Sequence, residues 1–143
     1  MASYDSGTLS NQSGRSARIY KDLNLDFQQN TATKDIQKIT DIESVKRSVR
    51  NLVQIGQYEK PFHPEIASGV RDMLFENMTP FTAQTLQQKI TDVITNFEPR
   101  ALLTSVEVIP RFDNNQYEVI VEFYIQNAPT ELVDLSFTLE RLR

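Results

Sequence analysis

Apolar residues recur along this chain with two periods, one helical through the middle and one of two residues towards the end. The change falls at Phe97-Glu98-Pro99-Arg100. Ahead of it, Ile42, Val45, Val49, Leu52 and Val53 predict a helix that opens at Thr40 or Asp41 and stops near Gly56. Thr40 and Glu43 have the spacing of a capping box. Ile66, Val70, Met73 and Leu74 predict a second helix from Pro64 to about Phe75, weakened by Gly69 within it. A third, from about Thr82 to Asn96, is marked by Ala83, Leu86, Ile90, Val93, Ile94 and Phe97.

Beyond the joint the pattern predicts strands. Leu102 to Ile109 is rich in β-branched residues, and Pro110 is expected to end or bend that strand. Asp113-Asn114-Asn115 is turn chemistry, after which Tyr117, Val119, Val121, Phe123 and Ile125 alternate with polar positions. Asn127-Ala128-Pro129-Thr130 predicts a second turn, and Val133, Leu135, Phe137 and Leu139 form one face of a last strand. Near the start, Leu23, Leu25 and Phe27 suggest a short extended segment, followed by a polar loop from Gln28 to Lys34. The Ser- and Gly-rich residues 1–16 read as a flexible arm. The expected fold is α+β: about three helices packed on one face of a small antiparallel meander of about three C-terminal strands. Residues 17–143 are expected to make a single domain, with a helical part over 35–97 and a β part over 101–143.

Composition removes many functions. The chain has no cysteine, one histidine and four glycines, so disulfides, thiolate chemistry, a clustered zinc site and a phosphate-cradling loop have no residues to draw on. No cofactor is expected. His63, between two prolines, is read as structural. There is no leader-like segment and no apolar run near the roughly 20 residues of a membrane span, which makes a soluble intracellular protein the default expectation. A net charge of −4 argues against nucleic acid as a partner. Residues 1–60 carry nine Lys/Arg and seven Asp/Glu, a net +2, while residues 61–143 carry six and twelve, a net −6. The two halves therefore suit each other or different neighbours.

One enzyme class needs only common residues. Glycoside hydrolysis runs on two carboxylates, and Glu98 with Asp92 or Glu107 are the pairs on offer. The joint itself points elsewhere. Pro99 has a fixed φ and biases Glu98 towards extended geometry, so Glu98 and Arg100 project the same way. They reach either each other or a shared partner site, as a recognition or clamping element. Lys46, Arg47 and Arg50 lie mostly away from the apolar stripe of the first helix and make a basic margin.

Five ordered segments carry a resemblance. They are Leu25-Asp26-Phe27; Thr40 to Leu52 (TDIESVKRSVRNL); Pro61-Phe62-His63-Pro64 with Ser68 to Glu76 (SGVRDMLFE); Phe97-Glu98-Pro99-Arg100; and Leu139-Glu140-Arg141-Leu142-Arg143. The sequence resembles the small baseplate wedge proteins of contractile-tailed bacteriophages, a family with a counterpart in type VI secretion systems. The resemblance spans about residues 18 to 143. It implies a non-enzymatic structural subunit of the inner baseplate around the tail tube, located in the virion and assembled in the host cytoplasm. Implied partners are larger baseplate wedge proteins, joined through the helical part, and the tail sheath subunit, nucleated by the C-terminal strands; nucleic acid and membrane are not among them. The implied contact residues are Glu98, Pro99 and Arg100 at the joint, with Lys46, Arg47 and Arg50 on the first helix. Leu139, Arg141 and Arg143 are implied at the C-terminus. Members have been called lysozyme-like, so a peptidoglycan hydrolase is the alternative.

Overall fold

The computed structural model describes residues 20–126 and 128–141. They fall in two compact units, Met1–Asp41 and Ile42–Arg143. In the first, β1 (Lys21–Leu23) pairs antiparallel with β2 (Lys38–Thr40), and Gln29 bridges Ile36 between them. Of the extended segment suggested by Leu23, Leu25 and Phe27, only Leu23 lies in a strand, and the pairing of Lys38–Thr40 has no alternation to announce it. Leu23, Leu25 and Phe27 are exposed. Asp41 closes the unit: its amide donates to the Tyr20 carbonyl and its Oδ1 accepts from the Tyr20 amide. Residues 1–16, read as an arm, lie outside the described residues.

The second unit carries the predicted α+β architecture. Helix α1 (Asp41–Gln54) buries Val45, Val49 and Val53, three positions four apart and therefore on one stripe. Helix α3 (Pro80–Phe97) starts two residues before the sequence pattern suggested. Thr79 is extended, its hydroxyl accepts from the Thr82 amide, and Pro80 fills the first turn where its missing N–H costs nothing. Thr82, Ala83, Leu86, Ile90, Val93 and Ile94 are its buried face.

The second helix is where the expectation fails. Instead of Pro64 to Phe75, only α2 (Val70–Met73) is helical. The Ser68 hydroxyl donates to the carbonyls of Val53 and Ile55 at the end of α1 and accepts from the Val70 amide. Gly69 then takes φ 60°, a left-handed conformation that an α-helix does not contain. Tertiary hydrogen bonds hold residues 65–69 out of the helical path that Pro64 would otherwise start.

Strands β3 (Ala101–Arg111), β4 (Gln116–Ile125) and β5 (Ala128–Glu140) form one antiparallel sheet in the order β3-β4-β5. Pro110 does not end β3; it pairs with Tyr117 on an edge strand, where a residue without an N–H is tolerated. A bulge between Leu103 and Ser105 shifts the register. Residues 112–114 make a 3-10 turn closed by left-handed Asn115, as Asp113-Asn114-Asn115 suggested. The second turn is tighter than expected, since Ala128, placed in it by the sequence, already pairs with Ile125. One face of the sheet is core: Ala101, Val106, Val108, the alternate residues Tyr117 to Ile125, and Val133, Leu135, Phe137 and Leu139. Helix α3 packs against β3. No helix among the described residues is long and apolar enough to cross a membrane.

Candidate functional site

The joint is a closed clamp. Helix α3 ends with the Glu98 amide donating to the Ile94 carbonyl, and Pro99 turns the chain into β3. The extended geometry expected at Glu98 is not adopted: Glu98 (φ −126°, ψ 76°) opens a turn over Pro99 and Arg100 that the Ala101 amide closes on the Glu98 carbonyl, and that turn brings the two side chains together. Arg100 Nε donates to Glu98 Oε1 at 2.7 Å and Nη2 to Oε2 at 2.8 Å, a two-pronged guanidinium–carboxylate pair. Ser48 Oγ, on α1, donates to Glu98 Oε2. The Glu98 side chain is 3% exposed and that of Arg100 26%. Within the chain, Glu98 and Arg100 thus pair with each other.

Electrostatically the site favours an ionised Glu98. Burial pushes its carboxyl up, but the bonds from Arg100 and Ser48 and the guanidinium charge outweigh that and hold it below the ordinary carboxylate range. Ser48 was not anticipated. It lies 50 positions from Glu98 and nothing local marks a helical serine as a donor to a distant acid.

The other residues scatter. Lys46 and Arg47 are half-buried and Arg50 is exposed on α1. Leu139 is in the core beside Tyr117, unavailable as a surface contact. Arg141 is occupied within the chain: its amide donates to the Asn115 carbonyl, Nε to the Glu76 carbonyl and Nη2 to Asn77 Oδ1, tying the end of β5 to the loop before α3. Arg143 lies outside the described residues.

Neither of the two carboxylate pairs, Glu98 with Asp92 or with Glu107, has the surroundings that glycoside hydrolysis needs. A glycosidase acid needs a raised pKa, whereas that of Glu98 is lowered. Asp92 accepts from Gln88 on exposed α3 surface, and Glu107 lies on the sheet face opposite the core. The His63 ring bonds exposed Glu65, whose carboxyl pKa that contact lowers. No group of three His, Cys, Asp or Glu able to hold a metal occurs among the described residues.

A small sheet backed by helices, with a guanidinium–carboxylate pair on a buried Glu98 at their junction, defines an α+β module. The sequence pattern of the family described as "Baseplate wedge protein gp25" matches residues 40–130, which include Ser48, Glu98 and Arg100. The chain belongs to that family. It is 30% identical over 122 residues to the protein of that name from Enterobacteria phage T4, covering 85% of this chain and 92% of the relative. Two solved structures share the fold. One is a putative tail lysozyme from Geobacter sulfurreducens, with TM-score 0.65 at 20% identity, over 71% of this chain and 91% of that one. The other is a chain of the anti-feeding prophage baseplate, with TM-score 0.59 at 20% identity, over 87% of each.

Proposed function

We propose that this protein is a non-enzymatic wedge subunit in the baseplate of a contractile phage tail. It binds larger wedge proteins through its helical part and nucleates the sheath through its C-terminal strands. The observation that carries this reading is the family match, which runs continuously across α1, the clamp and β4. The geometry supports it in two ways. The clamp fixes α1 to the start of β3, so the basic margin of Lys46, Arg47 and Arg50 and the exposed Pro99 belong to one rigid piece, which lowers the ordering cost of binding. Strands β3 and β5 are edges of a three-stranded sheet, and an edge is a template for a further strand.

Because Glu98 and Arg100 pair within the chain, they act on assembly by shaping that surface, with the exposed part of Arg100 at its margin. Leu139 supports the sheet from inside, and Arg141 braces its end. The test is co-elution of the chain with the purified larger wedge proteins, for wild type and Arg100→Lys. Lysine offers no fork, so the variant is expected to fold, lose about 1–2 kcal/mol of stability, and bind the wedge proteins more weakly. Unaltered binding by a destabilised variant would separate the clamp from assembly. The name of the Geobacter protein raises a hydrolase as the second reading; clearing of a peptidoglycan suspension by the wild-type chain would favour it.

A further inference from the structure

The sheet has a second face, opposite the core, whose composition is unusual for a surface that meets only water. The register sets Leu102, Tyr124 and Leu132 in one row across all three strands. Leu102 is 47% and Leu132 45% exposed. The neighbouring row places Glu122 directly opposite Asp134, two carboxylates facing each other across adjacent strands. Like charges in that arrangement destabilise a sheet. Glu107, Glu118 and Glu140 complete the face, giving five acids, and the only basic residue on the three strands is Arg111. Arg111 is already committed, with Nε and Nη2 on Glu118 Oε2 at 3.0 and 2.7 Å. Glu122 accepts from the Ser105 hydroxyl at 2.7 Å.

We propose that this face docks a protein segment that sets an arginine or lysine beside an aliphatic side chain, the cation on Glu122 and Asp134 and the apolar group on the row of Leu102, Tyr124 and Leu132. Successive outward residues on a strand are about 7 Å apart and neighbouring strands about 4.8 Å. One cation and one adjacent apolar side chain therefore span the two rows. The net charge of the face, five acids less one arginine, repels nucleic acid and anionic lipid, which leaves protein as the occupant. A docked cation would relieve the repulsion that the free subunit carries. This contact uses side chains of the sheet face and is separate from strand addition at an edge.

The choice of probes rests on the baseplate reading: the purified larger wedge proteins and the purified sheath subunit of the same virion. The variant is Glu122→Gln with Asp134→Asn, compared with the wild-type full chain. The free variant is expected to melt about 2 °C or more higher, because the repulsion is gone. It should bind one of the probes roughly tenfold more weakly at low salt, with a shallower salt dependence. Leu102→Ser with Leu132→Ser should weaken the same complex with its salt dependence unchanged. Equal binding by wild type and the charge variant at every salt concentration overturns this proposal while leaving the baseplate reading intact. A charge variant that binds normally but precipitates would make the acids solubilising only, which also overturns it. Wild type that binds neither probe overturns both.

Discussion

Glu98 concentrates the energetics of the joint in one side chain. A carboxylate that is 3% exposed and shared between a guanidinium fork and a hydroxyl is stable only while both partners stay. Glu98→Gln is expected to cost roughly 2 kcal/mol at pH 7, read from urea midpoints. The pH dependence has a definite sign. The folded carboxyl sits below its ordinary range, so its stabilisation is full above the unfolded value of about 4.3 and is lost as pH falls through the folded value. The gap between wild type and variant should therefore narrow as the pH falls below about 4; a gap still full at pH 2 would contradict the clamp. Tyr117 presents the opposite case. Its hydroxyl is buried with no hydrogen-bond partner among the described residues, and burial pushes the phenol up. Tyr117→Phe removes an unsatisfied polar group from the core and should leave stability unchanged or raise it by about 1 kcal/mol, measured by thermal unfolding.

At the scale of elements, α3, β4 and the later part of β5 were legible because burial follows one period along each. Val133, Leu135, Phe137 and Leu139 all face the core as their alternation implies. Helix α2 was not, because what shortens it lies elsewhere in the chain: the carbonyls at the end of α1 that take the Ser68 hydroxyl. The clamp was half legible. The sequence spacing marked Glu98 and Arg100 as neighbours, but they meet through a turn, and the Ser48 hydroxyl that joins them from α1 has no local signal. Gly69 offers a direct check. A Cβ there would meet only the movable end of Lys89, so the cost of Gly69→Ala should come from φ 60° alone, about 1 kcal/mol. A stabilising substitution would mean that the segment relaxes into the longer helix.

At the scale of the molecule, the chain pairs a covered sheet face with two strand edges and a basic helix margin, and the family it belongs to is that of baseplate wedge proteins. The most direct measurement is hydrogen–deuterium exchange of the chain alone and in complex with the purified larger wedge proteins. New protection is expected at the outer turns of α1 around Lys46 to Arg50 and at the joint. The β4 core should be already protected in the free chain and unchanged on binding. No complex, or a complex whose protection spares both α1 and the joint, would contradict it.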